Sequence, residues 1–156
     1  MDISGLQMPK GLAEMVDRSA FHEVCQCFCD LYGVGLHIID INGNNLTDIR
    51  ANTAQFNEYL LSIHDLKVLF TKLIAELKSL PLGAAENIVE LESFSGLCYS
   101  LSPIYHEGNE RGRIIFGPYR TSESKRLPKK LASMLKQHES NELITLQRFI
   151  PVISPG

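Results

Sequence analysis

One segment, residues 34–49, constrains the fold more than any other part of the sequence. Two apolar runs flank Asp40-Ile41-Asn42-Gly43. Because Asn-Gly tolerates positive φ at both central positions of a tight turn, the pattern predicts a β-hairpin closed at Asn42-Gly43. The first strand carries apolar residues on both faces, so we expect at least part of each side of the sheet to be covered. His37 lies on one of these faces and is a candidate to line a cavity.

The spacing of apolar residues predicts the secondary structure of most of the remaining chain. Further strands are predicted at residues 87–92, 97–105 and 111–119, the last two as an antiparallel hairpin turning near Gly108. Helices are predicted at residues 19–32, 53–80, 129–137 and 142–150. In the first helix, the inward apolar stripe is expected to comprise Phe21, Val24, Cys25, Phe28 and Tyr32. In the second, it comprises Leu66, Leu69, Phe70, Leu73, Leu77 and Leu80.

This order of elements predicts an α+β domain with a central five-stranded antiparallel sheet covered by helices. The length of 156 residues suits one domain. We expect residues 1–10 to be a flexible lead-in, residues 11–150 to form the domain, and residues 151–156 to begin a linker to an output domain. An apolar stripe of Leu12, Met15 and Val16 is the expected surface of a homodimer.

Charge and hydropathy exclude several classes of function. A net charge of −3 argues against nucleic-acid binding. No apolar run approaches the ~20 residues of a membrane span, and no signal peptide pattern is present, so we expect a cytoplasmic location. Residues 111–136 nevertheless hold eight basic side chains and one acidic one. This basic segment could hold an anionic ligand, a partner or a membrane surface, or could consist of solvated surface charges.

The sequence carries no recognisable catalytic motif. It lacks a nucleophile elbow, a metalloprotease helix, a P-loop and a dinucleotide fingerprint, and its five histidines are scattered. Glu90 and Glu92 share a strand face, which a solvated strand explains. We therefore expect a non-catalytic domain with no catalytic residues and no cofactor.

Four cysteines allow one further hypothesis. Cys25, Cys27 and Cys29 form a C-x-C-x-C run, which does not match the spacing of zinc or redox pairs. On a helix, His22, Cys25 and Cys29 could converge on a metal, with Cys98 as a fourth ligand. Buried cysteines more often act as small apolar residues, and reduced thiols suit a reducing compartment.

Two blocks, residues 15–48 and 95–119, resemble the PocR-type sensory domain, a relative of the PAS and GAF ligand-binding modules of bacterial signalling proteins. The first block carries Phe21, Phe28, Tyr32-Gly33-Val34, the strand from Leu36 to Asp40 and Asn42-Gly43. The second carries Ser95-Gly96-Leu97, Pro103-Ile104, Gly108, Gly112 and Gly117. The resemblance implies a PAS/GAF-like fold with a cavity for a small molecule. Members usually carry cysteines where this chain has Asn57 and Ser93, so thiol-dependent or metal-dependent sensing is not carried over.

We therefore expect a sensory domain of a two-component system, for example a histidine kinase. It would bind an unknown small molecule between sheet and helices and signal through its terminal helices. The candidate ligand-binding residues are His37, Tyr99, Leu101, Phe116, Tyr119 and Arg120, the last for an anionic group. The alternative is a homodimerisation or protein-docking module of the same fold without a small ligand.

Overall fold

The computed structural model describes residues 18–49, 54–83, 88–122 and 126–153. Its elements are, in chain order, α1 (Arg18–Tyr32), β1 (Leu36–Asp40), β2 (Asn45–Ile49), α2 (Ala54–Ser62), α3 (Lys67–Ser79), β3 (Val89–Glu92), β4 (Cys98–His106), β5 (Asn109–Tyr119), α4 (Lys129–Ser133) and α5 (Gln137–Gln147). The expected flexible lead-in at residues 1–10 and the expected dimer stripe of Leu12, Met15 and Val16 lie outside the described residues.

The five strands form one antiparallel sheet in the order β2-β1-β5-β4-β3. The long strand β5 is central, pairing Ile114 with Ile38 of β1 and Ile115 with Leu101 of β4. Gly112 allows β1 and β5 to approach, since a Cβ at this position would overlap the carbonyl oxygen of Ile39. The predicted α+β class and its five-stranded antiparallel sheet are confirmed.

Each face of the sheet packs against a different helix, because successive side chains of a strand point to opposite sides. On the face that we call the α3 face, Leu73 and Leu77 of α3 pack against Ile39, Tyr99, Leu101 and Ile115. On the opposite face, which we call the α1 face, Cys25 and Cys29 of α1 pack against Leu36, Ile38 and Ile49. The predicted cover on both sides of the sheet is therefore present.

A helical core lies beside the α3 face. It joins α2, α3, α4 and α5 through buried side chains that include Phe56, Leu60, Phe70, Leu131, Leu143 and Ile150. Because α2 packs against α5 in this core, the C-terminal helix is in contact with an element that also borders the sheet.

The first hairpin was predicted correctly, but its turn was not. Only Gly43 of Asn42-Gly43 has positive φ, at 84°. The carboxylate of Asp40 accepts hydrogen bonds from the backbone N–H groups of Asn42 and Asn44, each at 2.9 Å. These bonds stabilise a four-residue loop, and the two-residue turn with positive φ at both positions occurs instead at Glu107 and Gly108.

The helix predicted over residues 53–80 is interrupted. Ile63 has an extended backbone, with φ −89° and ψ 111°, and a 3-10 turn follows at His64–Leu66. Ile63 and Leu66 are both buried in the helical core. The break redirects the chain so that the apolar sides of α2 and α3 reach the same core, which one straight helix would not achieve.

The other helices also depart from the predicted pattern. In α1, Cys25 and Cys29 are buried, whereas Val24, Phe28 and Tyr32 of the predicted inward stripe are 68%, 43% and 52% exposed. The helix therefore rests on its two cysteines, whose small side chains allow close approach to the sheet. The last helix starts at Gln137, five residues before the predicted start, because the carboxylate of Glu139 accepts the backbone N–H of Lys136 at 2.8 Å.

Candidate functional site

A cavity of about 350 Å³ lies between the α3 face of the sheet and the helices α2 and α3. We call it the sheet–helix cavity. Gly35 lies just before β1, the strands contribute His37, Ile39, Asn45, Asp48, Tyr99 and Ile115, and the helices contribute Asn57, Glu58, Leu61, Phe70, Leu73, Ile74, Leu77 and Lys78. Its size falls within the ~300–1,000 Å³ of small-molecule sites, and its lining is mainly apolar.

Two polar pairs interrupt this apolar lining. Nδ1 of His37 lies 2.7 Å from Oδ1 of Asp48, its partner across the β1–β2 ladder. On the other side of the cavity, Nδ2 of Asn57 in α2 donates to the phenolic oxygen of Tyr99 in β4 at 3.2 Å. Burial raises the pKa of Tyr99, so its hydroxyl stays neutral at physiological pH. The cavity thus offers a few fixed polar groups within an apolar surface.

A second cavity, of about 600 Å³, lies where the β3–β4 connection and the end of β5 meet α4 and α5. We call it the basic cavity. Its polar lining residues are Glu92, Ser93, Ser95, Arg120, Thr121, Ser122, Arg126, Lys129, Lys130 and Gln147. Most of its charge comes from the basic segment recognised in the sequence.

The six candidate ligand-binding residues do not converge on one site. His37 and Tyr99 line the sheet–helix cavity. Leu101 is fully buried on the same α3 face, where it packs in the core. Arg120 lines the basic cavity. The remaining two residues, Phe116 and Tyr119, belong to clusters on the α1 side of the sheet.

Tyr119 and Phe116 have structural contacts on that side. The Tyr119 hydroxyl donates to Oε2 of Glu90 at 2.5 Å and lies 2.7 Å from the hydroxyl of Ser100. Burial, together with the bond to Glu90, raises the pKa of Tyr119 to about 12. The Phe116 ring lies 5.7 Å from the ring of Phe28 in α1. These contacts connect strands β3, β4 and β5 to each other and to α1.

Two polar residues of the sheet–helix cavity, Asp48 and Asn57, were not among the predicted site residues. The predicted two-residue turn at Asn42-Gly43 already implies the register that pairs His37 with Asp48, and the structure has this pairing, so the sequence contained the signal for Asp48. Asn57 lines this cavity, whereas Ser93, the other position at which the resemblance leads us to expect a cysteine, lines the basic cavity. The two positions therefore belong to different cavities.

The cysteines do not form the hypothetical metal site with His22. Cys25 and Cys29 belong to one buried cluster and Cys98 to another, while His22 is exposed. No group of three His, Cys, Asp or Glu side chains suited to a metal ion occurs among the described residues. Burial raises the pKa of Cys29 to about 11 and also raises the pKa of Cys25 and Cys98. These three thiols are protonated at neutral pH and act as small core side chains.

Comparison with known protein families places the chain beside a described sensory domain. A family model described as the sensory domain found in PocR matches residues 14–156, which include all of both blocks of resemblance. No curated protein matches the chain significantly. Across the four described ranges, no helix is long and apolar enough to span a bilayer.

Proposed function

The chain belongs to the family of PocR sensory domains, and from this premise we propose that it binds a small molecule in the sheet–helix cavity as the input of a bacterial signalling protein. The observation that carries the proposal is the cavity itself, about 350 Å³ between sheet and helices, with His37 and Tyr99 in its lining. A sensor of this kind needs binding and a response, and no chemical step.

The lining suggests the chemistry of the ligand. Aliphatic and aromatic side chains from α3, including Phe70, Leu73 and Leu77, would contact an apolar body. The pairs His37–Asp48 and Asn57–Tyr99 supply hydrogen-bonding groups for one or two polar atoms. We therefore propose a small metabolite with an apolar part and few polar groups.

The effect of ligand binding would be transmitted from the cavity to α5 through α2. Asn57 of this helix borders the cavity, while its neighbours Phe56 and Leu60 pack in the helical core with Leu143 of α5. A ligand that prefers one position of α2 would therefore shift how α5 docks. Only the difference in affinity between the two arrangements can be transmitted. The receiver would be a C-terminal output domain, for example a histidine kinase.

We place the domain in the cytoplasm as part of the same proposal. All four cysteines are free, and none is paired in a disulfide. Reduced thiols suit a reducing compartment.

A second candidate function is homodimerisation without a small ligand. On α1, Val24, Phe28, Leu31 and Tyr32 leave an apolar strip exposed to solvent. A second copy of the chain could cover this strip. Light scattering coupled to gel filtration would report a dimer that Leu31→Glu converts to a monomer; a monomeric wild-type chain would exclude this candidate.

A thermal-shift screen of small metabolites tests the leading proposal. A ligand at one hundred times its dissociation constant stabilises the folded state by about 2.7 kcal/mol, which raises the melting temperature measurably. His37→Ala should weaken the response to a hit, whereas the matched exposed control His64→Ala should not. Absence of any shift across the screen, or equal responses of both variants, would contradict the proposal.

A further inference from the structure

The basic cavity has the features of a second binding site, independent of the proposed function. The described residues that line it include four cationic side chains, Arg120, Arg126, Lys129 and Lys130, and one carboxylate, Glu92. Its volume of about 600 Å³ accommodates a small molecule. The excess of positive charge favours an anion.

Two hydrogen bonds hold Arg120 in place and leave most of its guanidinium N–H groups unused. Its Nε donates to the carbonyl oxygen of Ile150 at 3.0 Å, and its backbone N–H donates to the carbonyl oxygen of Pro151 at 2.8 Å. The Nε bond uses one of the five guanidinium N–H groups, and the N–H groups of the two terminal nitrogens remain to donate to a ligand. A planar fork of this kind matches a carboxylate or phosphate.

Gln147 requires a hydrogen-bond donor, which a fully deprotonated anion such as sulfate does not carry. Its side chain is 4% exposed, and its Oε1 atom is buried without a hydrogen-bond partner in the structure. An amide oxygen only accepts hydrogen bonds, so its partner must carry an N–H or O–H group. A buried acceptor without a partner is unfavourable, and a ligand that donates to it would remove that cost.

A pair of buried hydroxyl groups lies in the same lining. The oxygens of Ser93 and Ser95 are 2.7 Å apart, and both side chains are buried. Their mutual bond uses one of the two hydroxyl protons, so the other is left to donate to an anionic oxygen.

We propose that the basic cavity binds a small hydroxylated anion. Arg120, with Lys129 and Lys130, would hold the anionic group, and a hydroxyl of the ligand would donate to Oε1 of Gln147. Because Gln147 ends α5 and Arg120 follows β5, the ligand would connect the sheet to the C-terminal helix.

Calorimetric titration of the chain with four probes tests this proposal. The probes are glycerol 3-phosphate, glycerate, sulfate and glycerol, at constant ionic strength. We expect glycerol 3-phosphate to bind about tenfold more tightly than sulfate, which has no proton to donate to Gln147, the effect of one satisfied hydrogen bond. Glycerate distinguishes a carboxylate site from a phosphate site, and glycerol should give no signal. Equal affinity for glycerol 3-phosphate and sulfate, or no binding of any anion at millimolar concentration, would overturn the proposal.

Substitutions in the lining test whether the anion binds in the basic cavity. Gln147→Met removes the acceptor at similar volume, so the melting temperature of the free chain should not fall, while the preference for glycerol 3-phosphate over sulfate should disappear. The double variant Lys129→Gln with Lys130→Gln should lower the affinity for both anions, with and without a hydroxyl group, at least about fivefold. The matched control, Lys67→Gln with Lys72→Gln, makes the same charge change on the exposed side of α3. An equal loss in this control would show surface attraction and overturn the assigned site.

Discussion

Asn57 of α2 and Tyr99 of β4 connect a helix to the sheet across the sheet–helix cavity, with the Asn57 amide donating to the Tyr99 hydroxyl at 3.2 Å. The ring of Tyr99 belongs to the core of the α3 face and is 4% exposed, so it is held rigidly. Asn57 is less buried and lies on the helix that also contacts α5. A ligand that competes for this bond would act directly on the position of α2.

Removal of this hydrogen bond should have a modest, measurable cost. Tyr99→Phe keeps the ring and deletes the hydroxyl, so we expect the free energy of unfolding in urea to fall by about 1 kcal/mol. A double-mutant cycle with Asn57→Ala should show that the two losses are not additive. Additive losses would mean that the bond does not form in solution. Tyr99→Ala is unsuited to ligand tests, because loss of a buried aromatic ring costs about 3–5 kcal/mol.

The contact between α2 and the helical core should be essential for folding. Phe56 is 1% exposed and packs with Leu60 and Leu143. Phe56→Ala should lower the free energy of unfolding by about 3–5 kcal/mol, since it removes apolar contacts and leaves a cavity. Val68→Ala, at a position that is 63% exposed, should change it by less than about 0.5 kcal/mol. Similar losses in the two variants, measured by urea denaturation, would contradict this packing.

Tyr119 should make stability fall at alkaline pH. Its pKa in the folded chain is about 12, above the ordinary value of 10.0. Between these values the folded state keeps a proton that the unfolded chain has released, so rising pH favours unfolding, by at most about 1.4 kcal/mol per pH unit for one proton. The stabilisation that protonated Tyr119 gives the folded state is fully present below pH 10.

The variant Tyr119→Phe cannot release this proton. Urea denaturation at a series of alkaline pH values should therefore show the stability advantage of the wild type over the variant shrinking as pH rises above about 10. A constant difference across the series would show that burial and Glu90 do not hold the proton on Tyr119.

The four cysteines should differ strongly in reactivity. Cys27 is exposed, whereas Cys25, Cys29 and Cys98 are buried with raised pKa values. Since the thiolate is the reactive form, brief treatment with iodoacetamide at neutral pH should modify Cys27 at least about tenfold faster than the other three. Peptide mass spectrometry measures the extent at each position. In urea all four should react at similar rates; early modification of Cys29 in the folded chain would revive the thiol-sensor hypothesis.

Local signals in the sequence were sufficient for most of the architecture. Strand alternation and helical periodicity depend on neighbouring residues, so the five strands and their antiparallel hairpins could be predicted, as could the resemblance to the family. Boundaries that depend on side-chain contacts were less predictable. The break at Ile63 follows from packing of α2 and α3 in one core, and the start of α5 follows from the bond between Glu139 and Lys136.

The sequence by itself determined an α+β sensory domain and offered His37 and Tyr99 as candidate ligand-binding residues, both of which line the sheet–helix cavity. Only the tertiary structure decided that Phe116 and Tyr119 lie on the α1 side and that Arg120 belongs to a separate basic cavity. The physical reason is that strand order and register determine which side chains meet. The register between β4 and β5 shifts near Cys98, and such shifts depend on burial over the whole chain.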